Sequence, residues 1–309
     1  MRRLKKVLII LISSILAFVL VINPIASIIV YEAIFSQRYE PSPWRTYKTE
    51  FFDSLTVASV ELSGNGERLA GFKYSNPTVA EPKGVVVFAH GLGGGGHNVY
   101  MPLIDAFTDL GYLVFTYDAT GNGESDGKDT NGLPQGPIDL ERAIDTALSD
   151  PDYSTLPLYL AGHSWGAYSV GAVLASYPEV KGAVMFAGFD YSPDMMEVRA
   201  ADYAGAFLAS AAIPTVALYE RLKFGDYASL SVSDSIADSD ALVMIVHSTD
   251  DETVPASVGY DKYYERYKSD PRVTFLLYED RGHNRLYYSE GRQIDSDLML
   301  KIDEMFQKA

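Results

Sequence analysis

Five consecutive residues restrict this chain more than any other feature: Gly162-His163-Ser164-Trp165-Gly166. They follow the apolar run Leu158-Tyr159-Leu160-Ala161 and precede a stretch of helical character. A serine at the apex of a tight strand-to-helix turn needs nearly bare residues two places before and after it, hence both glycines. The Oγ then projects at the top edge of a sheet, with a helix N-terminus behind it. This setting predicts a nucleophile.

The surrounding sequence supplies such a sheet. Segments 55–62 and 68–74 alternate around Gly64-Asn65-Gly66 and predict an antiparallel pair. Short runs rich in Val, Ile or Leu follow at 85–89, 112–117, 158–161, 183–187, 242–246 and 273–278. Helical stretches at 100–110, 137–148, 167–176, 256–268 and 289–307 lie between or after them. Strands alternating with helices argue for a mostly parallel sheet flanked by helices on both faces. Between Ala187 and Leu242 lie 54 residues, far more than the dozen or so that a plain crossover needs. The excess, about 189–240, reads as an inserted cap.

Residues 7–30 carry no charge. At about 1.5 Å per residue this is roughly 36 Å of helix, enough to span a hydrocarbon core of about 30 Å. Asn23-Pro24 interrupts it in a way that membrane helices tolerate. Arg2, Arg3, Lys5 and Lys6 precede it, which places that end in the cytoplasm and the body outside. A cleaved signal peptide is the alternative, but Ile25-Ala26-Ser27 is a poor cleavage site. The expected organisation is a basic tip and signal-anchor over 1–35, a connector over 36–52, and a hydrolytic domain over 53–309. The chain has no cysteine, so neither disulfides nor Cys-linked lipid are available. That suits an extracytoplasmic bacterial protein on the cell membrane. A net charge of −16 repels phosphate backbones and argues against nucleic acid as a partner.

On these motifs the chain resembles the α/β-hydrolase superfamily from about residue 55 to its end, nearest to its esterase, dienelactone-hydrolase-like and prolyl-oligopeptidase-like branches. Val85 to Leu92, ending in Ala89-His90-Gly91-Leu92, is similar to the strand and His-Gly turn that supply one oxyanion amide. Asp118-Ala119-Thr120-Gly121-Asn122-Gly123-Glu124-Ser125 is similar to a further family turn, with Thr120 where Arg is usual. His247 to Pro255 is similar to the acid turn, with Ser248 where Gly is frequent. The resemblance implies the chain order nucleophile, acid, histidine. Of five histidines only His283 follows the acid turn, so it is the expected base; His90 and His163 read as structural and His97 as a solvent-facing loop residue. Counting four residues back from Pro255, as the family pattern does, selects Asp251, with Asp250 and Asp190 as alternatives. The backbone N–H groups of Leu92 and Trp165 are the implied oxyanion hole.

Acyl transfer from a carboxylic ester is the expected chemistry, with a small-molecule acyl compound as substrate and serine peptidase action as the alternative. A peptidase reading gives Asp190, Asp194, Glu197 and Asp202 a substrate amine to hold, whereas a solvated acidic face needs no such role. Gly91 to Gly96 also fits a Gly-x-Gly-x-x-Gly outline, with Asp118 at the end of the next strand. That outline leaves the serine, acid and histidine unexplained, so no dinucleotide cofactor is expected. Nor does any spaced His/Cys cluster suggest a metal. A fold retained only for binding is the third reading, and the filled triad positions speak against it.

Overall fold

A computed structural model describes residues 2–62, 64 and 66–309. Met1, residue 63 and Asn65, the centre of the expected turn, lie outside the described residues. The strands are β1 (Thr56–Glu61), β2 (Ala70–Ser75), β3 (Val85–Ala89), β4 (Leu113–Tyr117), β5 (Leu158–His163), β6 (Val180–Phe186), β7 (Leu242–Ser248) and β8 (Val273–Tyr278). They form one sheet in the order β1-β2-β4-β3-β5-β6-β7-β8. β2 is antiparallel to β1 and β4, and every pairing from β4 to β8 is parallel.

Parallel strands are covered on both faces, so their residues alternate between two cores rather than between core and water. Val85, Val87, Leu160, Met185 and Ile245 point to one side. There they meet α4 (Gln135–Ser149), α5 (Trp165–Val173), α8 (Val232–Ala237) and α9 (Tyr260–Tyr267). Val86, Phe88, Ala161, Val184 and Met244 point to the other, against α3 (Met101–Asp109) and α10 (Ser296–Phe306). All of β3 is buried, which holds the loop after it rigidly at the sheet's upper edge. The last helix begins later than its periodicity predicts, because Asp295 caps it, accepting from the Leu298 N–H at 3.1 Å. Between β6 and β7 lie α6 (Ser192–Ala204), α7 (Ala206–Phe224) and α8. Of these, α8 belongs to the layer against α5: a Cβ on Gly171 would meet Val232 at 2.4 Å.

The first helix runs from α1 (Arg2–Ala17) through a π-turn at Phe18–Ile22 into α2 (Asn23–Phe35). The wide turn sits where Pro24 lacks an N–H and crowds the carbonyl four residues back. The Arg3–Phe35 helix is long and apolar enough to cross a membrane, with mean hydropathy 2.7 over its most apolar 18 residues. Its far end is docked: Ser27, Tyr31 and Phe35, spaced along one face, are buried. Tyr31 donates its hydroxyl to Glu220 of α7 at 2.9 Å, and Ser192 Oγ donates to the same oxygen at 2.8 Å.

Burial pushes the Glu220 carboxyl up to about 7, against an ordinary 4.5, despite the Ser192 and Tyr31 bonds. A raised folded-state value means the fold favours the protonated acid. Its stabilisation is therefore complete below pH 4.5 and is lost as pH rises through about 7. Unfolding free energies measured across that window should decline for the wild type relative to Glu220→Gln, whose amide cannot ionise. Parallel pH profiles for the two proteins would show that Glu220 is not held neutral.

Candidate active site

β5 ends at His163 and α5 begins at Trp165, leaving Ser164 alone at the turn with φ 57° and ψ −117°. This is a region L-residues seldom occupy, at a cost of about 1–3 kcal/mol. Both flanking glycines are sterically required. A Cβ on Gly162 would lie 2.5 Å from the Gly166 carbonyl oxygen, and one on Gly166 would lie 2.0 Å from that of Ala89. The elbow is thus clamped between β5, α5 and the end of β3.

The acid turn follows β7. Asp251 is buried, and its Oδ2 lies 2.8 Å from His283 Nδ1. Its Oδ1 accepts from the N–H groups of Thr253 and Val254, each at 2.9 Å. Burial drives this carboxyl upward, but the His283 bond and charge and the Val254 N–H outweigh it and hold Asp251 below its ordinary value. Asp250 does a different job. Its Oδ1 accepts from Ser248 Oγ at 2.5 Å and from the Gly282 N–H at 2.8 Å, bracing the loop that carries His283. Asp190 makes no hydrogen bond to His283 among the described residues and accepts from the Ser233 N–H at 2.7 Å and Ser231 Oγ at 3.2 Å. The structure therefore pairs His283 with Asp251 and with neither alternative. Among the described residues, no hydrogen bond joins Ser164 Oγ to His283; such contacts are often loose before substrate binds.

A relay beneath the site ties its loops together. The Gly91 N–H donates to Tyr100 Oη at 3.0 Å, and Tyr100 Oη meets His163 Nδ1 at 2.9 Å. His163 Nε2 then lies 2.8 Å from the His283 carbonyl oxygen. Burial, and after it the nearby His283 imidazole, pushes His163 down to about 3. It is therefore neutral, with its proton on Nε2 donated to His283 and its Nδ1 accepting from Tyr100. Its position flanking the elbow suggested a structural residue; that it holds the backbone of His283 is invisible in sequence, because 120 residues separate the two. His163→Phe keeps an aromatic ring and removes both bonds. Losing one buried partner costs about 1–3 kcal/mol, so kcat should fall roughly 10- to 100-fold at little changed KM. Wild-type kcat in a folded variant would dismiss the relay.

The two expected oxyanion donors are placed differently from Gly91. Gly91 spends its N–H on Tyr100, whereas the Leu92 N–H has no protein acceptor among the described residues. Trp165 itself is buried and anchors through its indole N–H to the Leu133 carbonyl at 2.8 Å.

His97 corrects an expectation. Instead of facing solvent it is buried, stacked on Phe72 at 3.9 Å, with Nδ1 2.8 Å from Asp118 and Nε2 2.9 Å from Tyr74 Oη. A loop polar residue is taken inside here because both ring nitrogens find partners. Asp118 also accepts from the Glu124 N–H at 2.8 Å, and a Cβ on Gly96 would strike it at 2.3 Å. The glycine-rich loop is thus filled by the protein's own carboxylate and by the Glu40 backbone, 2.4 Å from a Cβ on Gly95. That leaves no room for the pyrophosphate that its outline suggested. Where Thr120 replaces the usual arginine, Thr120 binds Asp139, at 2.7 Å through its N–H and 3.0 Å through Oγ1. A guanidinium still reaches this loop, from Arg38, which donates to the carbonyls of Gly123, Ser125 and Gly127.

The four cap acids are each engaged: Asp190 by Ser233 and Ser231, Asp194 by Lys262, Glu197 by Ser210 Oγ, and Asp202 by Arg199 at 3.0 Å. A surface depression of about 640 Å³ lined by Asp190, Ser233, Lys262 and Arg266 lies along α8 and α9 and includes neither Ser164 nor His283.

The family model described as serine aminopeptidase, S33, matches residues 80–242, which include the Ser164 turn and the loop after β3 and stop before Asp251 and His283. The caffeoylshikimate esterase of Arabidopsis thaliana is 32% identical over 119 residues, 36% of this chain and 34% of that protein. The match thus spans about a third of the curated relative's length. Among solved structures, the Pyrococcus furiosus esterase Pf2001 superposes with TM-score 0.67 at 16% identity, over 88% of this chain and 98% of that one. The acylaminoacyl peptidase of Pyrococcus horikoshii superposes with TM-score 0.61 at 16% identity, over 84% and 43%. At such identities the structural likeness speaks for the fold.

Proposed function

This chain belongs to the serine aminopeptidase S33 family of α/β-hydrolases, and from that premise we propose that it is a membrane-anchored carboxylesterase with Ser164, His283 and Asp251 as its catalytic triad. The observation that carries the reading is the 2.8 Å bond from His283 to the buried Asp251, in a fold whose elbow strains Ser164 outward. With Asp251 fixing Nδ1–H, Nε2 of His283 is free to take the Ser164 proton as Oγ bonds to the ester carbonyl carbon. The carbonyl oxygen becomes an oxyanion facing the N–H groups of Leu92 and Trp165, and one such donor is worth about 3–4 kcal/mol of barrier. Collapse of that intermediate breaks the bond to the alcohol, which leaves with the proton from His283. Water then attacks the acyl-enzyme, giving its proton to the same nitrogen, and Ser164 is restored as the acid departs.

The cap acids support ester over amide cleavage. An aminopeptidase of this family needs a carboxylate to hold the substrate's ammonium group, and Asp190, Asp194, Glu197 and Asp202 already have protein partners. The match to the caffeoylshikimate esterase supports the same reading. Short- to medium-chain p-nitrophenyl esters should therefore be cleaved faster than long-chain esters or aminoacyl-anilides. Faster turnover of the anilides would overturn the esterase reading in favour of the peptidase. The anchor reading rests on the apolar helix of Arg3–Phe35 with basic residues ahead of it. Asn23 and Ser27 make specific contacts with the body or within the docked face, which a signal removed near Ser27 would sacrifice.

A further inference from the structure

We propose that the outer end of the α6–α7 hairpin is a second membrane element, dipping into the same leaflet from which the first helix emerges. The inference rests on the anchor reading and adds a surface to it. α2 and α7 are fastened side by side at successive levels. Asn23 Nδ2 donates to the Ala211 carbonyl at 2.7 Å, Tyr31 to Glu220 at 2.9 Å, and Tyr219 and Lys223 reach Glu32 at 2.8 and 2.7 Å. The matched levels rise together in sequence, so the two helices run in the same direction. From Asn23 to Tyr31 is about 12 Å of helix, and from Ala211 to Glu220 about 13.5 Å, so they advance nearly in step.

Toward the start of the chain, α2 leads into the apolar span. In that same direction α7 continues one more turn beyond Ala211, about 6 Å, to Phe207 and Leu208. A hydrocarbon core of about 30 Å takes roughly 20 residues. Counted from Val7 it ends near Ala26, so the level shared by Asn23 and Ala211 already lies at its edge. The tip of α7 lies deeper still.

The side chains there suit lipid and not water. From Ala206 to Tyr219 α7 has no charged residue, while Glu220, Arg221 and Lys223 all fall at the end away from the span. Tyr203 is 85% exposed and Phe207 83%, and Phe207, Ala211 and Pro214 form one stripe toward the tip. Of the charges on the hairpin, Arg199 and Asp202 neutralise each other at 3.0 Å, and Glu197 accepts from Ser210 Oγ beside the tip. An apolar stripe this exposed marks an interaction surface, and its continuity with the apolar helix selects a bilayer as the occupant. Tyr203, amphipathic and beside the tip, suits the headgroup level.

The chain's lack of cysteine makes the test direct. Full-length Phe207→Cys, Ile12→Cys and Leu300→Cys proteins, each labelled with an environment-sensitive fluorophore, are reconstituted into phosphatidylcholine–phosphatidylglycerol vesicles carrying acyl-chain nitroxide lipids. All three positions are exposed, so none of the substitutions disturbs the core. The expected result is strong nitroxide quenching at positions 12 and 207 and none at 300, which lies on α10 on the opposite face of the sheet. Quenching at 12 with none at 207 overturns the proposal and leaves the anchor standing. Absence of quenching at both overturns the anchor reading and the proposal with it.

Discussion

Ser164→Ala should lower ester turnover by about 10⁶-fold and leave the fold intact. The hydroxyl is the only group lost, and the alanine Cβ occupies the position the serine Cβ already holds. No neighbouring serine is presented at an elbow, so no substitute nucleophile is available. The residual rate would come from the oxyanion donors and substrate binding alone. The backbone adds an independent readout. At φ 57° and ψ −117° a Cβ is strained, so Ser164→Ala should unfold at nearly the wild-type temperature, whereas Ser164→Gly should be about 1 kcal/mol more stable than either. A turnover loss of tenfold or less for a folded Ser164→Ala protein is incompatible with covalent catalysis at this residue.

The second large effect separates two adjacent carboxylates. Asp251→Asn should cut kcat by about 10⁴. Its Oδ1 can keep the Thr253 and Val254 N–H groups, which turns the amide NH₂ toward His283 Nδ1. The imidazole must then carry its proton on Nε2 and can no longer accept one from Ser164. Asp250→Asn should be mild, within about tenfold, since an amide oxygen still accepts from Ser248 and Gly282 as one does now. If Asp250→Asn is the crippling change and Asp251→Asn the mild one, the assignment of the acid is wrong by one residue.

What could be read from sequence was what sterics or chain order dictate. Gly162 and Gly166 announce the elbow because any Cβ there would collide with backbone. His283 stood out because it alone follows the acid turn, and the contact with Asp251 has a sequence separation of only 32. The strands were legible since β3 to β7 are buried on both faces and read as continuous apolar runs.

Contacts between distant segments were not legible. His97 carries no mark of burial; it is inside because Asp118 and Tyr74 converge on it from two strands. Arg38 lies in a stretch that reads as a connector, and only the folded chain brings it 85 to 89 residues onward, into the loop after β4. The cap acids read in sequence as a solvated face or a hold for a substrate amine, because their partners, Lys262 and Ser233 among them, arrive from later elements. The docking of the first helix on α7 joins residues nearly 190 apart, and an apolar run by itself says nothing of which helix it will accompany.

The most direct measurement of the central claim is peptide mapping by mass spectrometry after the full-length wild-type protein has reacted with a fluorophosphonate. The adduct should sit on the peptide containing Ser164, at one per chain, and appear in parallel with loss of ester hydrolysis. Inactivation with the adduct on any other residue, or full hydrolysis by a chain modified at Ser164, would contradict the account.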